Sequence, residues 1–153
     1  MKKEEKLKEA ISTYLTLQYP DVIFRFDIGA DIHLPAGLAK KSKRIHKHKK
    51  GYPDLFIAEP LKVRSRGQWH FESFGLFIEL KATKNDLLTK KGHLRNTEHL
   101  KDQEHFLLDL QNRGYFTCFS YGFDKTKEII DAYMSGDYVK LTTITKELMP
   151  LPF

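Results

Sequence analysis

Asp54, Glu79 and Lys81 are the residues of this chain whose types and spacing could do chemistry. They fall in two short apolar runs of strand character, Gly51-Tyr-Pro-Asp-Leu-Phe-Ile-Ala58 and Gly75-Leu-Phe-Ile-Glu-Leu-Lys-Ala82. Residues two apart on a strand share a face, so Glu79 and Lys81 project together while Leu80 points to the other face. If the two runs pair, Asp54 joins that face. Two carboxylates and an ammonium so arranged can hold a divalent metal and set a water beside a phosphate. Phosphodiester hydrolysis needs charge stabilised on the phosphate oxygens, a water oriented or deprotonated, and the phosphate held still. Asp54 and Glu79 would supply side-chain ligands to Mg2+, the Leu80 backbone carbonyl between them a third ligand, and Lys81 a cation beside water and phosphate. Pro-Asp and Glu-x-Lys are each common fragments, and a Glu-x-Lys on an exposed strand is usually a solvated ion pair. Their order, on two apolar strands flanked by basic segments, is what points to a site.

The elements that must position these residues follow from periodicity and punctuation. Residues 3–18 read as an amphipathic helix with Leu7, Ala10, Ile11, Tyr14 and Leu15 facing a core. A strand is expected over 22–28, ended by Gly29, and then a long loop over about 30–52 containing Pro35 and Gly37. Strands follow at 54–58 and 75–82, with a small hairpin at 62–70 around Arg66-Gly67. The polar stretch 83–96 reads as a mobile loop able to close over a ligand. Thr97 is a helix cap, and a helix over about 98–112 carries Leu100, Phe106, Leu107 and Leu110, with Gln103 on or beside the stripe. A strand at 115–120 and a helix from a capping Asp124 to about 134 complete the reading, and the tail from 136 is left open. The expectation is an α/β domain spanning 1–153, with a mixed central sheet of four or more strands flanked by helices. The 54–58 and 75–82 strands would pair antiparallel, and 75–82, helix and 115–120 would form a right-handed βαβ unit.

A length of 153 residues and 41% hydrophobic content suit one core. No apolar run approaches a membrane span and the start, Met-Lys-Lys-Glu-Glu-Lys, lacks a signal-peptide apolar region, so a soluble intracellular protein without membrane association is expected. A single cysteine, Cys118, excludes an internal disulfide and reads as a buried thiol rather than a nucleophile. The net charge is +6, but its distribution says more: Lys40 to Lys50 holds seven Lys or Arg and no acid, directly before Gly51. Such a run is either a solvated loop or a phosphate-binding one, and its place beside the paired carboxylates favours nucleic acid. Candidate DNA contacts are Lys43, Arg44, Lys47, Lys49 and Lys50 here, and Lys84, Lys90, Lys91 and Arg95 after the second strand.

The ordered set Gly51-x-Pro-Asp54, Glu79-x-Lys81, Asp102-Gln103 before Phe106-Leu107, Gly114-Tyr115 and Tyr121-Gly-Phe-Asp124 resembles the PD-(D/E)XK nuclease superfamily, and within it the VRR-NUC (virus-type replication-repair nuclease) branch. The resemblance runs from the first helix to about Met134. It implies a restriction-endonuclease-like αβββαβα fold and an endonuclease that uses Mg2+, with Mn2+ as substitute, on branched DNA such as four-way junctions or flaps, in replication, repair or recombination. By position it makes Asp54 and Glu79 metal ligands, Lys81 the catalytic lysine and Gln103 the supporting glutamine. An acidic residue of the first helix completes the pattern. Glu4 suits it, three before Leu7 and seven before Ile11, with Glu5 and Glu9 as alternatives. The resemblance further implies a homodimer and a phage or bacterial source, hence the cytoplasm of a bacterial cell or infected host. The stretch between Lys81 and Gln103 is longer than the pattern expects, which bears on the placement of Gln103.

Rival readings are weaker. His93, His99 and His105 are six apart and share no helical face, and the i, i+4 ligand pair is absent. Tyr52, Trp69, Phe71 and Phe74 could stack on unpaired bases, but read as core and hairpin packing, with Trp69 the best exposed candidate. A basic DNA-binding module without catalysis would not need Asp54, Glu79 and Lys81 together, and a restriction-type endonuclease would usually need further elements for base readout.

Overall fold

The computed structural model describes residues 2–27, 35–45 and 51–150. Helix α1 (Lys3–Gln18) leads into β1 (Phe24–Phe26), then α2 (Ala36–Ile45), β2 (Leu55–Ile57), a ribbon of β3 (Leu61–Ser65) and β4 (Gln68–Ser73), and β5 (Leu76–Lys81). A short α3 (Lys84–Leu87), then α4 (Glu98–Gln111), β6 (Phe116–Tyr121), α5 (Gly122–Ser135) and α6 (Tyr138–Thr145) follow. The four-stranded sheet has the order β1-β2-β5-β6, and β3-β4 form a separate two-stranded sheet. β1 and β2 pair antiparallel, as do β2 and β5, while β5 and β6 run parallel across the α3–α4 crossover.

Every residue of β5 is buried. A strand buried on both faces has helices on both, and its sequence, Leu-Phe-Ile-Glu-Leu-Lys, is apolar except where the site lies. The face of β5 carrying Phe77, Glu79 and Lys81 is covered by α4. There Phe77 stacks on its cross-strand partner Phe56 with ring centroids 4.4 Å apart. The other face packs against the layer that α1 and α5 form together, with Ile11, Leu15, Ile78, Leu80, Ile129 and Ile130 fully buried.

Several expectations are corrected. The segment 36–45 is helix, not loop: Pro35 supplies the carbonyl for the first helical bond, from the Ala39 N–H, and Ala, Leu, Lys and Arg are good helix formers that outweigh Gly37. The first half of the basic run, with Arg44, therefore lies on α2. Lys47, Lys49, Lys50, His46 and His48 lie outside the described residues. The 83–96 stretch is not a loose loop either. Thr83 and Asp86 form a capping box for α3, Leu87 and Leu88 are buried, and Leu88 bridges Leu94. Ala10 faces solvent, and Lys8 takes a buried place on α1 in its stead. Tyr121, not Asp124, occupies the N-cap of α5, with Asp124 in the first turn. The open tail forms α6, capped by the Asp137 carboxylate accepting from the Lys140 N–H at 3.0 Å.

Candidate active site

The antiparallel register pairs Leu55 with Ile78, so the residue before β2, Asp54, falls opposite Glu79. Asp54 lies just before β2 begins, where β5 runs on past its partner, and its carboxylate turns onto the unpaired edge of β5. There Oδ2 accepts the Leu80 N–H at 2.8 Å. In a strand the N–H and C=O of one residue point to the same edge, so the Leu80 carbonyl faces the Asp54 side as well. Glu79 and Lys81, two apart, share a face as their spacing predicts: Lys81 Nζ donates to Glu79 Oε1 at 2.9 Å. From α4, one turn past its start, Gln103 Nε2 also donates to Glu79 Oε1. The longer stretch before α4 does not displace it, because α3 and the Leu88–Leu94 bridge take up the extra residues.

Gly51 explains why the loop can reach this place. Its φ is +81°, and a Cβ there would meet the Asp102 carbonyl oxygen at 2.8 Å. The Gly-Tyr-Pro-Asp approach thus lies directly on the backbone of α4 at the turn that carries Gln103. Only glycine has both the conformation and the clearance.

The site is nearly closed to water: Glu79 is 3% exposed, and Lys81 and Gln103 are also buried. Glu79 Oε2 and Gln103 Oε1 are buried without a hydrogen-bond partner. Burial drives the Glu79 carboxyl up to about 8, the Asp54 charge adds to the rise, and Lys81 opposes it. A buried carboxyl with an orphaned oxygen, beside a second carboxylate, is a site with an acceptor left unsatisfied.

Lys8 also joins the candidate site, although its place in the sequence does not mark it. Its ammonium sits 2.7 Å from Asp54 Oδ1 and 3.2 Å from the Asp27 carbonyl oxygen. A lysine four residues from Glu4 on a charged helix reads as a solvated side chain, and only the docking of α1 on the sheet buries it. Glu4 lies one turn earlier on the same face, half-buried, and no contact ties it to Asp54 or Glu79.

Lys84, Lys90, Lys91 and Arg95 are exposed on the segment that follows β5, and Arg44 is exposed on α2. Lys84, Lys125 and Lys146 line an open depression beside Tyr121. Among the described residues no three or more His, Cys, Asp or Glu side chains form a metal-binding group, and His93, His99 and His105 are exposed. Cys118 is fully buried with its thiol pushed up to about 12 by desolvation, as expected of a structural thiol.

The α/β architecture, a central mixed sheet between helices, is shared with a solved structure described as a "VRR_NUC domain protein". That chain is 21% identical, the match covers 88% of this chain and 90% of that one, and the TM-score is 0.55. The likeness establishes the fold, and it agrees with the resemblance read from the sequence motifs. No protein-family model matches the chain, and no curated protein matches it. Among the described residues, no helix is long and apolar enough to cross a membrane.

Proposed function

We propose that this chain is a metal-dependent DNA endonuclease that hydrolyses phosphodiester bonds in branched DNA such as flaps or four-way junctions. The observation that carries the reading is the convergence of Asp54, Glu79 and Lys81 at one end of the β2–β5 pair. The available donors are hard oxygens, from Asp54, Glu79 and the Leu80 carbonyl, and they suit Mg2+ or Mn2+. The orphaned Glu79 Oε2 is the observation that favours a cation there, since a buried acceptor without a donor costs about 1–3 kcal/mol. When bound, Mg2+ would supply positive charge to the phosphate oxygens and lower the pKa of an attached water.

The chain's own residues supply the rest. Gln103 and Lys81 both donate to Glu79 Oε1, which fixes the carboxylate with Oε2 directed into the site. The Leu80 N–H holds Asp54 in register with it. An ammonium carries three donors, so Lys81 can keep its bond to Glu79 and still hold a phosphate oxygen as negative charge develops. Burial strengthens that interaction by keeping water out. Lys8 serves as the counter-charge of Asp54 before metal binds. The exposed Lys84, Lys90, Lys91 and Arg95 would take phosphates on either side of the cut. Glu4, on the Lys8 face of α1, would complete the acidic set once Lys8 gives way, and a homodimer would present two such sites to the two strands of a junction.

The test is a cleavage panel of duplex, single strand, flap, splayed arm and four-way junction, in Mg2+ or EDTA. Branched substrates should be cut in Mg2+ and left intact in EDTA. Asp54→Ala and Glu79→Ala should each lose at least about 100-fold in rate while still binding DNA. Cutting at the wild-type rate by Glu79→Ala would remove the assignment, and binding without cutting by the wild type would leave a non-catalytic DNA-binding module.

A further inference from the structure

The β3–β4 ribbon presents a face that the proposed site does not use. Lys62 is directly opposite Phe71, and Arg64 directly opposite Trp69. Cross-strand partners share a face, so two cations and two aromatic rings alternate on one side of the ribbon. Val63 and His70 occupy the other side, with Val63 packed on the core. Of the core and hairpin packing expected for these aromatic residues, the core part does not hold: Trp69, the best exposed candidate in the sequence, is 65% exposed, Phe71 52% and the adjoining Phe74 58%. Phe74 extends the surface, its ring centroid 4.8 Å from that of Phe71. Lys62, Trp69 and Phe71 line a shallow open depression.

Large apolar rings held in water beside cations have a physical use where the ligand is itself both flat and anionic. We infer that this ribbon face binds an unpaired stretch of nucleic acid, with bases stacked on Trp69 and Phe71 and phosphates on Lys62 and Arg64. A duplex hides its base faces, so the ribbon selects a substrate with a single-stranded segment. A second copy of the chain is the competing occupant, and charge argues against it. In a two-fold contact the same patch meets itself, which would bring the Lys62 and Arg64 charges of both copies into one interface. The ribbon hairpin, with Lys62, Arg64 and Arg66 against Glu72 alone, carries a net positive charge.

The ribbon joins the N-terminal end of β5, and the carboxylates stand toward its C-terminal end. Trp69 is exposed on a sheet separate from the one that carries Glu79, and no hydrogen bond or ion pair of Glu79 involves it. The inference rests on the nuclease reading only for the choice of nucleic acid among polyanions, and it adds to that reading the substrate class.

Trp69 is the sole tryptophan of the chain, so its fluorescence reports this face directly. In EDTA, where no cutting occurs, titration with an oligothymidylate should quench the emission saturably. By fluorescence anisotropy of a dye-labelled oligomer, which does not depend on Trp69, the double variant W69A/F71A should bind at least about tenfold more weakly, as loss of stacking for one or two bases requires, and should bind a labelled blunt duplex within about twofold of wild type. Circular dichroism checks the fold of the double variant. Should it unfold, Lys62→Gln with Arg64→Gln, which keeps both rings, replaces it with the same expected preference. Unchanged emission with the oligomer, or equal single-strand affinity in the variant, overturns the inference. So does emission that follows protein concentration, together with a dimer in sedimentation that W69A/F71A abolishes, which would assign the face to self-association. Because binding is read without hydrolysis, a normal Trp69 response with no cleavage would sink the nuclease reading alone, and cleavage without the response would sink this inference alone.

Discussion

Glu79 concentrates the physical tension of the site. In an unfolded chain its carboxyl ionises near 4.5, and in the folded protein near 8. Between those values the folded form holds a proton that the unfolded form has lost, so this group's contribution to stability falls as pH rises through that window and levels off above it. Glu79→Gln keeps the acceptor for Lys81 and Gln103 and removes the charge. Its melting temperature without metal should therefore exceed that of wild type at pH 8.5 by about 4 °C or more, and match it near pH 5. Equal melting curves at pH 8.5 would mean that Glu79 carries no such burden. Lys8 gives a second residue-scale prediction. Lys8→Met keeps most of the volume and removes the ammonium beside Asp54. Calorimetric titration should show Mg2+ bound at least about fivefold more tightly, while metal-free stability falls because Asp54 loses its partner. Weaker Mg2+ binding would instead make Lys8 part of the metal's own support.

At the scale of elements, the site depends on two registrations: β2 against β5, and the Gly51 loop against α4. Gly51→Ala would combine an unfavourable φ with a Cβ 2.8 Å from the Asp102 carbonyl oxygen. A loss of at least about 2 kcal/mol is expected in denaturant unfolding, with Asp54 and Gln103 driven apart. Unaltered stability would show that the loop shifts freely on α4. The two strands were legible in the sequence because a side-chain period of two puts Glu79 and Lys81 on one face without any knowledge of the partner. Thr97 as cap and Leu100, Gln103 and Leu107 as inward positions were legible for the same reason at the helical period. Less visible was α2, where Pro35 and Gly37 signal a turn while the helix rests on propensity alone. The folded nature of 83–96 was hidden because its order comes from long-range burial of Leu87 and Leu88. Lys8 could not be read at all: nothing local distinguishes it from Lys3 or Lys6, and its role arises only when α1 meets the end of β2.

Across the whole molecule, a net charge of +6 is less informative than where the cations stand. Lys84, Lys90, Lys91 and Arg95 are exposed on the segment that follows β5, and the ribbon cations precede the strand. Binding measured against salt should separate these groups. Changing Lys84, Lys90, Lys91 and Arg95 to Gln should reduce the slope of log affinity on log salt by about 0.9 for each duplex phosphate that the protein no longer neutralises. An unchanged slope would take that segment out of the interface. The fold is shared with the VRR_NUC domain structure, and under the proposed function the carboxylates carry the chemistry. The most direct measurement is Mn2+ binding to the metal-free protein, followed by electron paramagnetic resonance, for wild type, Asp54→Asn and Glu79→Gln. The expected result is a saturable Mn2+ site in wild type that either substitution abolishes. A wild-type protein that takes up no Mn2+, or a site that survives both substitutions, would contradict it.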